Sequence, residues 1–122
     1  MRAYRIATGA RIELLGDPVG EALIQNTTLA EHQAIAATNA GCELWDVTSP
    51  DEIRCDAPYV TFHDDLYLSW GLLAAFVEAA KKNPRTPAVL ALERTPRVTQ
   101  LARTQDVELV DDRVCYPVRY HV

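Results

Sequence analysis

An apolar stripe at helical spacing, Leu72, Leu73, Phe76, Val77 and Ala80, predicts an amphipathic helix in the second half of the chain. Ser69 stands where an N-terminal cap is wanted. Lys81 and Lys82 suit the negative end of the helix dipole, and Pro84 forbids continuation. An earlier helix is marked by Thr28-Leu29-Ala30-Glu31, a capping box in which the Thr28 hydroxyl accepts from an amide that the helix cannot satisfy. It should run through Ile35 and Ala36 to about Ala40, with Gly41 as the stop.

Strand patterns surround these helices. Cys42 to Val47 reads as a strand, and Tyr59-Val60-Thr61-Phe62-His63 is rich in β-branched and aromatic residues. Between them, Ser49-Pro50-Asp51-Glu52 carries a cap residue, a first-turn proline and two acids, enough for one short helical turn. Ala88-Val89-Leu90-Ala91-Leu92 is apolar throughout, as in an inner strand covered on both faces. Tyr4 to Ala7 and Ala10 to Leu14 flank Thr8-Gly9 and read as a hairpin. Val107 to Val110 and Arg113 to Tyr116 flank Asp111-Asp112 and read as a second. Gly16-Asp17-Pro18-Val19-Gly20 is a loop.

The middle of the chain therefore reads helix, strand, strand, helix, strand, which favours parallel strand pairs with helices packed on the sheet. The expected fold class is α/β: a single three-layer-type domain over residues 1–122, with a mixed, partly parallel sheet and hairpins at the margins. No linker, repeat or low-complexity run divides it.

Composition narrows the function classes. A hydrophobic fraction of 48% and a charged fraction of 24% are those of an ordinary globular domain. Twelve basic against seventeen acidic side chains give a formal charge of −5, which makes nucleic acid a poor partner. Small anions stay open, because local arginines or backbone amides can hold them. No run approaches the ~20 apolar residues that cross a bilayer, and the first residues do not read as a secretory signal. Cys42, Cys55 and Cys115 are too widely spaced for a CxxC site and odd in number, so buried, reduced thiols in a cytoplasmic protein are expected.

Asp64-Asp65 is the most informative chemical feature. It follows a strand and precedes a helix, and ligands of open α/β sheets bind outside the carboxyl ends of strands. Two carboxylates there can hold Mg²⁺, a hard ion often shared with substrate phosphates. The alternative on residues alone is a strand-to-helix turn in which an aspartate caps local N–H groups, and that alternative ranks ahead. His63, His32 and His121 share no zinc-ligand spacing, and His63 reads as a partly buried strand end rather than a general base. Ser49 and Ser69 have sufficient roles as caps, and no GxSxG, GxGxxG or GxxxxGK[ST] is present. Trp45 and Trp70 suit packing better than ligand stacking, and Arg94, Arg97 and Arg103 suit an anion-binding loop or a solvated surface.

The order of residues resembles the sugar nucleotidyltransferases (nucleotide-diphospho-sugar transferases). Leu23-Ile24, Leu29 and Ala40-Gly41 before a strand are similar to that family's start. The stretch Pro58 to Ser69, followed by Leu72-Leu73 and Phe76, resembles its second signature, and Ala88 to Leu92 its next strand. The likeness covers roughly residues 9 to 92. It implies a nucleotide-binding role for Gly9 and Arg11, and a metal-holding role, with Mg²⁺, for Asp64 or Asp65.

The likeness is partial and degenerate: Gly9-Ala10-Arg11 echoes only the start of the family's glycine-rich loop, and Gly20-Glu21-Ala22-Leu23 has no phosphate-neutralising lysine. The expectation is a nucleotide- or sugar-nucleotide-binding domain, catalytically weak or inactive alone, either a degenerate relative or a half-domain of a longer nucleotidyltransferase-like protein. The alternative is a non-enzymatic oligomerisation or interaction domain on the same frame. Homo-oligomers are expected in either case, because the edges left by a missing half need covering.

Overall fold

The computed structural model describes residues 1–9, 23–24, 27–67, 69, 71–93, 108–110 and 113–122. In chain order these form β1 (Arg2–Ile6), the short strands β2 (Leu23–Ile24) and β3 (Thr27–Thr28), α1 (Leu29–Asn39), β4 (Glu43–Val47), a 3₁₀ turn (Pro50–Glu52), β5 (Tyr59–His63), α2 (Leu72–Lys81), β6 (Ala88–Glu93), β7 (Glu108–Val110) and β8 (Arg113–His121). The main sheet runs β4-β1-β5-β8-β6, with β7 beside β8. A mixed, partly parallel sheet with helices, in one small α/β domain, is the expected class.

β1 is flanked along its whole length by parallel neighbours, β4 on one edge and β5 on the other. Both of its edges are therefore filled, and the second arm of the expected hairpin, Ala10 to Leu14, lies outside the described residues. Thr8-Gly9 instead leads out of an inner strand, with Gly9 at φ 75°, a conformation glycine adopts without steric cost. The second expected hairpin is present: Val110 lies opposite Arg113 and Glu108 opposite Cys115.

β8 is the antiparallel strand that joins the two halves of the sheet. β6 lies along one of its edges, while β5 and β7 share the other end to end. Pro117 sits between those two ladders, at the point where the β6 register also shifts between Val89 and Ala91. A proline has no N–H for a ladder bond, so it is accommodated where pairing breaks.

Ala3, Val60, Phe62, Val118 and Tyr120 turn one face of the sheet toward Ala36 and Ala37 of α1 and Leu73, Phe76, Val77 and Ala80 of α2. The α2 stripe is thus the core contact that its spacing predicts. Of the three layers expected, the described residues supply two, the sheet and a layer of helices on this face. The opposite face carries Tyr4, Tyr59, Thr61 and His121. There Tyr59 stacks on His121 at 4.6 Å, and Tyr4 meets Tyr59 edge-on at 5.5 Å.

α1 begins as its capping box requires, with the Thr28 hydroxyl accepting from the Glu31 amide at 3.2 Å, and ends at Gly41 with φ 71°. α2 begins later than expected. Its N-cap is Gly71, without a side-chain cap, and Ser69 contributes only its carbonyl, to the Leu72 amide. Among the described residues β6 ends the sheet, and Val89 is 44% exposed, where its apolar run suggests an inner strand.

Candidate functional site

β1, β4 and β5 run parallel, so their carboxyl ends lie along one crest of the sheet. The ladders continue past the strands, with the Ala7 amide donating to Val47 O and the Asp64 amide to Ile6 O. Those bonds bring the loop after β1 beside the turn after β5. There Asp64 Oδ1 accepts from the Thr8 amide at 3.0 Å and from the Thr8 hydroxyl at 2.6 Å.

Two of the residues singled out in the sequence, Gly9 and Asp64, are thereby linked through Thr8, whose bonds to Asp64 span 56 positions of chain. Asp64 Oδ1 holds the loop, and among the described residues Oδ2 takes no hydrogen bond. Asp65 is the next residue of the same turn and is half-buried. Arg11 lies outside the described residues, as do Trp70, Arg94, Arg97 and Arg103.

Three residues that sequence reading did not single out complete the crest. Gln33 of α1 is fully buried. Its amide nitrogen donates to Asp64 O at 2.9 Å and to Leu66 O at 2.7 Å, two carbonyls of the β5–α2 turn. Its carbonyl accepts from Arg5 Nη1 at 3.3 Å. Arg5, toward the end of β1, also donates to Ala30 O and forms a two-bond pair with Asp46, Nε to Oδ1 at 2.6 Å and Nη2 to Oδ2 at 3.0 Å. Parallel register sets Arg5 directly opposite Asp46, which allows the paired geometry of guanidinium and carboxylate. Thr8 is the third. A signal for Gln33 existed: it is a polar residue on the inward stripe of α1, beside Leu29, Ala36 and Ala37.

Other singled-out residues fall elsewhere. His32 is buried in α1 against the edge of Tyr67, and His63 ends β5, half-buried. His121 lies on the sheet face opposite the helices, its Nε2 at 2.9 Å from Thr61 Oγ1. Burial, and then the neighbouring Arg119 charge, hold its imidazole below the usual range. Trp45 is 41% exposed and carries the Arg2 guanidinium over its ring at 4.9 Å. All three cysteines are free thiols, but only Cys42 is buried, and Cys55 is exposed, contrary to expectation. Burial pushes the Cys42 thiol up, away from thiolate chemistry.

Carboxylate and hydroxyl oxygens are of the type that Mg²⁺ takes, an ion that keeps most of its shell from water and substrate. Among the described residues, no group of three or more His, Cys, Asp or Glu side chains forms a metal cage. Cavities lined by described residues include a groove of about 450 Å³ between α2 and β6, one of about 360 Å³ at the amino ends of β1 and β5, and one of about 280 Å³ beside Arg119 and His121. Asp64 lines none of them. No described helix is long and apolar enough to cross a membrane. In comparisons with known proteins, no family model matches the chain, and no curated protein matches it.

Proposed function

We propose that this domain binds a nucleotide or sugar nucleotide at the crest formed by the carboxyl ends of β1, β4 and β5, on a nucleotidyltransferase-like frame. The observation that supports this is the Thr8–Asp64 tie, which joins the Gly9 loop to the acidic turn. The placement of β1 also agrees with the resemblance, in which the first strand leads into a loop. Asp64 Oδ2 and Asp65 would hold Mg²⁺, whose charge offsets that of phosphate oxygens. Thr8 orients the Asp64 carboxylate, and Gly9 leaves room for a close backbone approach. Catalysis by this chain alone is weak or absent, since no lysine accompanies Gly20-Glu21-Ala22-Leu23.

Calorimetric titration with nucleoside triphosphates and sugar nucleotides, with and without Mg²⁺, tests the reading. Saturable, Mg²⁺-dependent heat, weakened about tenfold by Asp65→Ala, is expected. No heat, or the same affinity in Asp65→Ala, contradicts it.

A second reading, a homo-oligomeric interaction domain, draws support from β6. That strand ends the sheet and exposes Val89, and its run to Leu92 carries no charge to discourage edge pairing. A cytoplasmic location is proposed with either reading, because exposed free thiols such as Cys55 persist in reducing compartments.

A further inference from the structure

A buried glutamine that satisfies only a turn is an unusual use of a core position. Packing alone would be served by Leu or Met, without the cost of burying an amide. At Gln33 both amide hydrogens and the carbonyl are used, and none of the three bonds belongs to a helix or sheet ladder. The two donated bonds span Asp64 O and Leu66 O, so they clamp the turn at two points and fix the direction in which Asp64 and Asp65 leave the chain. The orientation of the amide is itself set. A guanidinium only donates, so Arg5 draws the Gln33 carbonyl and leaves the amide nitrogen facing the turn. Arg5 in turn is oriented by Asp46 and Ala30 O.

We infer that Asp46, Arg5 and Gln33 form a positioning relay, running from β4 through β1 and α1 to the β5–α2 turn, that sets the Asp64 carboxylate against Thr8. In each link the direction of donation is fixed: Arg5 donates to Asp46 and to the Gln33 carbonyl, and the Gln33 amide nitrogen donates to Asp64 O and Leu66 O. Gln33 is a positioning residue for the crest. Its bearing on ligand affinity rests on the proposed nucleotide site, while its bearing on Thr8 does not.

The two are separated by amide hydrogen exchange on the full 122-residue chain. The Thr8 amide reports the relay directly, because Asp64 Oδ1 is its acceptor. Asp64→Ala gives the fully released exchange rate. Gln33→Glu keeps the shape and the Arg5 contact but turns both donors into acceptors facing carbonyls. It is expected to raise Thr8 exchange at least tenfold, while the Tyr4 and Arg5 amides stay protected. Asp46→Ala, at an exposed position that does not threaten folding, is expected to raise Thr8 exchange about threefold.

Thr8 exchange unchanged in Asp46→Ala and in folded Gln33→Glu overturns the relay, as does loss of protection throughout β1. With MgATP as probe, non-additive losses of affinity in Gln33→Glu and Asp64→Ala support coupling of the relay to the site. Absence of MgATP binding by the wild type removes the nucleotide reading and leaves the exchange result to decide the relay.

Discussion

Arg5 and Asp46 form an ion pair whose two members sit in different surroundings: the Asp46 side chain is 70% exposed and that of Arg5 15%. An exposed carboxylate contributes little, so Asp46→Ala should cost no more than about 1 kcal/mol in urea unfolding. Arg5→Met removes in addition the donors to Ala30 O and Gln33 Oε1, and should cost about 2 kcal/mol. Equal costs for the two would place the stabilisation in the ion pair alone.

His121 gives a pH signature. Its folded-state pKa is lowered by burial and by Arg119, so the unfolded chain takes up its proton first as pH falls. The contribution of the neutral imidazole is therefore complete above about pH 6.5 and is lost as pH drops through the lowered folded-state value. His121→Gln, which can keep a bond to Thr61, should flatten the difference in unfolding free energy between pH 7.5 and 5.5. A variant with the same pH slope as wild type would assign that slope to other groups.

Local chemistry accounts well for elements whose ends are set by one residue. α1 is bounded by Thr28 and Gly41, and both were readable from their types. A Cβ at Gly41 meets nothing within 4 Å, so the cost of Gly41→Ala comes from its positive φ alone. About 1 kcal/mol of destabilisation is expected by thermal or urea melting, and no loss would argue that the backbone relaxes there.

Elements whose character depends on neighbours were misread. Thr8-Gly9 has turn chemistry whether the chain doubles back or leaves a sheet, and only the pairing of β1 with β4 and β5 decides. The apolar run of β6 matches an inner strand, yet among the described residues β6 is an edge, since periodicity reports burial of side chains and not the pairing of backbone. That edge predicts association. Val89→Lys should lower any concentration-dependent scattering while leaving the circular dichroism spectrum unchanged, and unaltered scattering would place self-association elsewhere.

At the scale of the molecule, two parallel pairs on β1 bring four separate stretches of sequence to one crest: Arg5 to Gly9, Gln33, Asp46 and Asp64-Asp65. The acidic turn was legible, because a β-rich run ended in two aspartates before an apolar helix. Its partners were not, because Thr8, Arg5 and Gln33 acquire their roles only through contacts 28 to 56 residues away. Asp64 accepts an amide, as in the capping alternative, but its donor is Thr8, 56 residues away, and not a group of the strand-to-helix turn.

Amide chemical-shift mapping, with a nucleoside triphosphate added in Mg²⁺ to the labelled chain, tests this most directly. Saturating shifts centred on Thr8, Gly9, Asp64 and Asp65, abolished by chelating the metal, are expected. Shifts confined to the groove between α2 and β6, or no shifts at millimolar ligand, would contradict it.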